Sequence, residues 1–365
     1  MKICLISAGT IRQSGIGRTV LNTASEFIKQ GHIVGFVSEY GDCSGDVCWV
    51  QFRTRNPFNI LNNTYKIFSF VKKYDAVICY DVLPGGFITA LVCFISRTPL
   101  YLYCIGTYSL FPKNNFFKSY LMTLVYACTT GVFVLSNSVK EHIEKSRNGF
   151  SLTKSTIIPP GVEVDFFKYT EDQSIHTTGT HYIITVGGVK SRKGHDISVE
   201  AFGKIAYQYP ELKYVIVGKY DRTTHCSLTL DNIIDRYNIR DRVIFLEEVD
   251  DVELCKLYSH ASFFIMTSRT TEEFIEGFGI VYLEAALCGI PSIGALNTGA
   301  EDAIVDEQTG LLVKLDVDAV KASMEKLLAN PSFTKKLGEE AKIRALTYSW
   351  KEITRKYLKS MDTIK

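Results

Sequence analysis

F-I-E-G-F-G-I-V-Y-L-E-A-A-L, residues 274–287, is the stretch on which the reading of this chain turns. It sets two carboxylates, Glu276 and Glu284, eight positions apart, and follows the first at once with Gly277, Phe278 and Gly279. Residues 280–287 form helices well, so the stretch predicts a glycine-bearing loop that runs into a helix. Such a loop lets main-chain N–H groups come close to a ligand, and the helix N-terminus behind it favours anionic groups. Glu276 then faces the ligand from the loop, while Glu284, deeper in the helix, reaches it elsewhere. Two carboxylates beside a phosphate-binding helix end suit a partner rich in hydroxyls as well as phosphate, such as a sugar nucleotide. The same spacing also fits Glu276 as a helix cap and Glu284 as a solvated face residue.

Outward from this stretch, short apolar runs alternate with helical patterns. Upstream lie strands over residues 182–186, 213–217, 243–246 and 261–266, with helices over 196–207, 228–237 and 252–259 between them. Downstream, 291–294 and 310–313 read as strands, and 317–328, 331–346 and 350–361 as helices. The front half repeats the pattern, with strands over 2–7, 32–38, 75–80, 100–104, 132–135 and 155–158 and helices over 16–30, 87–95, 116–129 and 139–146. In residues 16–30, Val20, Leu21, Ala24, Phe27 and Ile28 share one helical face, and Gly31 stops the helix. P-P-G-V-E-V-D-F-F at 159–167 and a polar run at 170–180 break the alternation, so residues 158–180 read as a hinge. Apolar strands joined by helical crossovers predict buried parallel sheets. The expectation is an α/β protein of two Rossmann-like doubly wound domains, 1–165 and 166–349, facing an interdomain cleft. Ligands in such sheets sit beyond the carboxyl ends of the strands.

A chain of 365 residues that is 46% hydrophobic is long enough for two such domains and has the apolar material for sizeable cores. A net formal charge of +2 argues against a nucleic-acid binder. Residues 1–165 carry 16 Lys+Arg against 10 Asp+Glu and the rest 25 against 29, so the halves stand at +6 and −4. A basic front half suits an anionic membrane or an anionic acceptor, and ordinary surface charge produces such a split as well. The ten cysteines stand as singletons without a C-x-x-C, which points to free buried thiols in a reducing cytosol and away from zinc. The first apolar run is too short for a signal peptide, and the run at 85–94 is too short to span a bilayer.

Other chemical candidates fall after strands. G-G-V-K-S-R-K-G follows the strand at 182–186 and sets Arg192 and Lys193 among Gly187, Gly188 and Gly194. A planar fork and a point charge on a glycine loop suit a diphosphate, although an adjacent Arg-Lys pair is also an ordinary surface feature. Its place after a strand, in the same domain as the Glu276 loop, favours the diphosphate. The spacing of a Walker loop is absent. S-A-G-T-I-R-Q-S-G-I-G-R, after the first strand, brings Gly15 and Gly17 to a helix start. Val20 occupies the third glycine position of a dinucleotide fingerprint, which weighs against nicotinamide binding despite Glu39 beyond the second strand.

At this point the residues carry a resemblance. R-T-T-E-E-F-I-E-G-F-G-I-V-Y-L-E-A-A-L-C-G-I-P-S-I-G resembles the signature of retaining family-4 glycosyltransferases with the GT-B fold. I-I-P-P-G-V-E-V-D-F-F is similar to their interdomain linker, with Pro160 where Asn is usual. G-G-V-K-S-R-K-G, V-I-V-G-K-Y, residues 243–268 and T-G-L-L-V resemble further family blocks in the same order. The likeness covers nearly all of residues 155–350, and over 1–154 it rests on the first strand, S-G-I-G-R and the layout.

The resemblance implies a retaining, metal-independent hexosyl transfer from a UDP-sugar or GDP-sugar, with no cofactor. Gly15 would face the donor diphosphate from the N-domain, and Arg192 and Lys193, on the loop of Gly188, would neutralise that diphosphate as it leaves. Glu276 would contact the donor sugar's hydroxyls beside the main chain of Gly277, Phe278, Gly279 and Ile280. Glu284 would bind the ribose, and the base would lie near Gly218, Lys219 and Val249. The helix over about 350–365 would return to the N-domain. Two nearby carboxylates also suit double-displacement glycoside chemistry, but here both are assigned to binding. Asp250 and Asp251 are adjacent, not spaced as a metal-binding D-x-D.

Ile105 stands where many relatives carry a histidine, which leaves Thr107 and Tyr108 to line the acceptor side. Asp81 is a further cleft candidate or a helix cap. Residues 112–129, with Lys113, Phe116, Phe117, Lys118, Tyr120, Leu121 and Leu124, read as an amphipathic helix that touches an anionic membrane, and equally as a core helix. The leading reading is a glycosyltransferase that acts on a glycan or lipid-linked acceptor in surface polysaccharide biosynthesis, such as O-antigen or capsule, at the inner face of the cytoplasmic membrane. A GT-B-fold sugar-nucleotide epimerase and a sugar-nucleotide-binding protein without transfer activity stand beside it.

Overall fold

The computed structural model describes residues 1–7, 15–39, 46–50, 57–165, 181–271 and 274–363. The chain divides into two compact units, Met1–Gly161 with Trp350–Lys365, and Val162–Ser349.

The first unit is built on strands β1 (Lys2–Ser7), β2 (Ile33–Ser38), β3 (Asp46–Trp49), β4 (Ala76–Cys79), β5 (Leu100–Cys104), β6 (Gly131–Val134) and β7 (Ser155–Ile157). They form one parallel sheet in the order β3-β2-β1-β4-β5-β6-β7. Ile3 pairs with Val34 on one side and Ala76 on the other, so β1 is central, and every residue after Lys2 is buried. Helices α1 (Gly15–Lys29), α2 (Pro57–Val71), α3 (Gly85–Ser96), α4 (Phe116–Cys128) and α5 (Asn137–Lys145) make the crossovers. The steps from β1 to β2 and from β2 to β3 run one way along the sheet, and the steps from β3 onward run the other way. Right-handed crossovers therefore place α1 on one face and α2 to α5 on the opposite one.

The second unit repeats the plan with β8 (Tyr182–Val186), β9 (Lys213–Val217), β10 (Val243–Leu246), β11 (Phe264–Met266), β12 (Ser292–Ala295) and β13 (Gly310–Val313). Their order is β10-β9-β8-β11-β12-β13. Helices α6 (His195–Ile205), α7 (His225–Arg236), α8 (Asp251–His260), α9 (Ile280–Leu287), α10 (Ala300–Ala303), α11 (Val317–Ala329) and α12 (Pro331–Leu346) flank this sheet. Its core gathers Ile183, Val199, Phe202, Tyr214, Phe263 and Leu327. In both sheets the strand order reverses beside the first strand, between β1 and β4 and between β8 and β11. At each reversal the connections diverge and leave a crevice beyond the carboxyl ends.

The doubly wound α/β architecture is the one the alternation predicts. Three elements escaped the sequence reading: the four-residue α10, too short to show a helical period, and β3 and α2, each with a physical reason. β3 is a four-residue edge strand with both ends exposed, so it shows neither an apolar run nor clear alternation. α2 starts at Pro57 and carries Asn62 and Asn63 in mid-helix, and it is anchored through Ile67 and Val71, both fully buried. Of the face assigned to α1, Val20, Ala24 and Phe27 are buried, while Ile28 lies in solvent. Residues 166–180 of the expected hinge, and residues 8–14 of the first glycine loop, lie outside the described residues.

The last helix, α13 (Trp350–Thr363), belongs to the first unit, on the face of α1. Its Tyr357 is buried against Phe27, Tyr103 and Phe133, with ring centroids 6.0, 5.7 and 5.0 Å away. Gln30 Nε2 donates to Thr354 Oγ1 at 2.6 Å, and Tyr101 Oη donates to the Met361 carbonyl at 3.1 Å. A Cβ on Gly161 would lie 2.4 Å from the Trp350 ring, so only glycine lets that indole close over the chain. Tyr357→Ala should lower stability by about 3–5 kcal/mol in urea unfolding, the cost of emptying a buried aromatic site. Tyr207→Ala, at an exposed ring on the second unit, should change it by less than about 0.5 kcal/mol.

Candidate functional site

The reversal between β8 and β11 is where the second unit holds a largely buried ion cluster. Beyond β8 the chain passes Gly187 and Gly188 into a single 3-10 turn, Ser191–Lys193, and then Gly194 opens α6. Gly194 has φ 68°, and a Cβ there would lie 1.8 Å from the Thr267 carbonyl oxygen just past β11. Glycine alone allows the turn to press against that strand end, where Thr267 Oγ1 donates to the Gly194 carbonyl at 2.6 Å. Arg269 ties the turn down from the same segment: its Nη1 donates to the Ser191 carbonyl at 2.7 Å, and its guanidinium pairs with Asp196 at 2.5–2.8 Å.

Arg192 and Lys193 are thereby aimed at the loop beyond β11. One oxygen of Glu276, Oε2, accepts from Lys193 Nζ at 2.7 Å, Arg192 Nη1 at 3.2 Å and Ser268 Oγ at 3.1 Å. The Glu276 and Lys193 side chains are 11% and 14% exposed. Burial would push the Glu276 carboxyl up, but the Lys193 charge and hydrogen bond, then Arg192 and Ser268, outweigh it and hold the group below its ordinary value. Glu276 is no helix cap. Gly279, with φ 77°, holds that position for α9 without a side-chain bond, and the α9 N-terminus opens beside the charged cluster.

Glu284 lies in the second turn of α9 and accepts from Tyr258 Oη at 3.2 Å, half-buried and not solvated outright. Phe278 is 3% exposed with its ring 5.8 Å from that of Tyr348, so it serves the core with its side chain and offers a ligand only main chain. Gly277 packs under Gly299, whose amide donates to the Glu276 carbonyl at 3.1 Å. Gly218, at φ 139°, packs against Gly187 and Gly188, so the loops after β8 and β9 lie together. Beside them Tyr220 stacks on Phe245 with centroids 4.0 Å apart. Val249 follows β10 and is half-buried.

In the first unit, Asp81 follows β4 and is half-buried, and Thr107 and Tyr108 sit in the turn after β5, with the Tyr108 side chain 87% exposed. Gly15 is the first residue of α1, and a Cβ there would meet nothing within 4 Å. Asp250 caps α8 through the Glu253 amide, and Asp316, which begins a D-x-D, caps α11 through the amides of Asp318 and Ala319. Among the described residues no group of three or more His, Cys, Asp or Glu is placed to hold a metal ion.

Comparison with known proteins bears on the family and the fold. The Glycosyltransferase Family 4 model matches residues 13–166, and the Glycosyl transferases group 1 model matches residues 168–344. This chain belongs to glycosyltransferase family 4. It is 28% identical over 204 residues to the GDP-mannose-dependent alpha-(1-6)-phosphatidylinositol monomannoside mannosyltransferase of Mycolicibacterium smegmatis, over 53% of this chain and 52% of that protein. It thus spans about half the length of that relative. With the capsular polysaccharide biosynthesis glycosyltransferase CapM of Staphylococcus aureus it shares 25% identity over 315 residues, 81% of this chain and 78% of CapM. The crystal structure of Anabaena HepE in complex with UDP superposes with a TM-score of 0.80 at 16% identity, covering 100% of both chains, which establishes the shared GT-B fold.

In this family-4 chain the residues missed by the sequence reading are those that brace the cations: Asp196, Thr267, Ser268 and Arg269. Arg269 pairs with Asp196 across 73 positions, a separation that no local pattern reveals. His195 braces from behind, its Nε2 lying 3.2 Å from the Gly187 carbonyl. Burial, then the Lys193 charge, lowers the imidazole to about 4, so His195 is neutral in the folded chain. As pH falls from about 6.5 to about 4 the unfolded chain binds a proton that the folded chain refuses. This contribution to stability is therefore full above that window and lost through it. His195→Gln, which keeps a donor for Gly187, should flatten the fall in urea midpoint across the window. Parallel curves for both chains would show that His195 does not titrate in this way.

Proposed function

We propose that the chain is a retaining, metal-independent glycosyltransferase that moves a hexose-type sugar from a nucleoside-diphosphate sugar to a glycan or lipid-linked acceptor. The observation that carries this reading is the single Glu276 oxygen shared by Arg192, Lys193 and Ser268 at the strand-order reversal of a family-4 chain. A diphosphate matches the planar fork of Arg192 and the point charge of Lys193, and in taking them it frees the Glu276 carboxylate for sugar hydroxyls. The bond between anomeric carbon and diphosphate oxygen breaks with its electron pair going to the diphosphate. The two cations and the α9 N-terminus stabilise that charge without reorganising. An acceptor hydroxyl forms the new bond on the face that the diphosphate leaves, and its proton passes to the departing phosphate oxygen.

Glu284 then holds the ribose hydroxyls, with the base beside Gly218, Lys219 and Val249. Asp81, Thr107 and Tyr108 are the acceptor contacts in this reading. Support for the donor class comes from two names: the M. smegmatis relative is GDP-mannose-dependent, and the HepE crystal holds UDP. Support for surface polysaccharide biosynthesis comes from the name of CapM, and work at the inner face of the cytoplasmic membrane is the location this proposal carries with it.

Arg192→Ala and Glu276→Ala should each lower the transfer rate by about 10²-fold or more, the cost of one preorganised electrostatic group. Near-normal turnover in either would overturn the assignment. UDP or GDP, but not ADP, should raise the melting temperature, since a ligand at about 100 times its Kd adds about 2.7 kcal/mol. Adding EDTA should leave transfer unchanged, and loss of activity that Mg²⁺ restores would refute metal independence.

A further inference from the structure

Three consecutive helices of the first unit each turn a second apolar face to solvent. On α2 the stripe is Phe58, Leu61 and Tyr65, at helical spacings of three and four. On α3 it is Leu91, Phe94 and Ile95, and on α4 it is Phe116, Phe117 and Tyr120. Phe94 is 74% exposed and Phe116 91%. These are not the docking faces of the helices. α3 already buries Ala90, Val92 and Cys93, and α4 buries Met122, Val125 and Tyr126. The crossover handedness sets all three on one side of the sheet, and α3 packs between α2 and α4. The stripes thus lie on neighbouring helices of one layer. A soluble surface seldom gathers so many large apolar side chains without a partner to cover them.

Charge decides which partner fits. The sequences of α2, α3 and α4 contain no Asp or Glu, while Lys66 and Lys118 lie on α2 and α4 and Lys113 and Arg97 flank α4 and α3. All four cations are exposed. A second copy of the chain meeting this face through a two-fold axis would set like charges against each other. A lipid surface accepts both features at once: aromatic rings settle at the headgroup boundary, and cations meet anionic headgroups.

We infer that α2, α3 and α4 together form a docking face for an anionic bilayer. The inference rests on the proposed function for a place of work beside a membrane, and its argument is drawn from this surface. The helix at 116–128 that the sequence marks as amphipathic is one third of the face; the other two stripes become visible only once the helices are set side by side.

The test is sedimentation of the full chain with phosphatidylcholine vesicles that contain or lack phosphatidylglycerol. The wild type should bind the anionic vesicles, weakly bind the neutral ones, and lose binding as salt rises. The combined variant Phe94→Ser, Phe116→Ser, Phe117→Ser and the combined variant Lys66→Glu, Lys113→Glu, Lys118→Glu should each bind at least about 10-fold more weakly. In the wild type, anionic vesicles should slow amide hydrogen exchange in α2, α3 and α4, a readout that needs no variant. Both variants should keep the wild-type thermal shift with UDP or GDP, so lost vesicle binding reports the face, and a missing nucleotide shift in the wild type counts against the proposed function alone. No wild-type sedimentation, undiminished binding by both variants, or a wild-type dimer that the serine variant dissociates would each overturn the bilayer assignment.

Discussion

A carboxylate held out of water by two cations is the interaction on which the candidate site depends. Desolvation works against the charge of Glu276, and Lys193 with Arg192 reverses the outcome. Such a cluster is a poor source of net stability, because removing charges from water costs about as much as their attraction returns. Its worth lies in poise. In the proposed function an arriving anion finds both cations already aimed, Lys193 nearly buried and Arg192 partly exposed, and the carboxylate it displaces is already ionised.

That poise is a product of chain topology. Arg192 and Lys193 follow β8, Glu276 follows β11, and the two strands are neighbours only because the sheet reverses its order between them. Gly194 then permits the close approach, since its own conformation and the Thr267 carbonyl both refuse a Cβ. Thr267, Ser268 and Arg269, three consecutive residues at the end of β11, fasten the cation turn and the carboxylate from one short segment. The first unit has the same strand-order reversal, but its apolar economy differs: α1 and α13 close over each other around Tyr357, while α2, α3 and α4 keep apolar faces turned outward.

What the sequence by itself determined was the alternation of elements and the chemistry at strand ends. Buried parallel strands must be almost continuously apolar, so β1, β5, β8, β9, β10 and β13 announced themselves with their bounds. Glycines beside charged residues at the following loops marked Arg192, Lys193 and Glu276 as candidates, because glycine lets a backbone come close to a ligand. Where an element is short, exposed or polar in the middle, as in β3 and α2, that signal fades, because its stability comes from neighbours far along the chain. The tertiary structure alone decided which charges meet. It turned Glu276 from a candidate cap into the counterion of two cations, gave Asp250 and Asp316 to helix caps, and sent the Phe278 ring into the core. The physical reason is range: a turn or helix propensity is written in a few adjacent residues, whereas desolvation and ion pairing depend on groups that folding brings together across 73 to 84 positions.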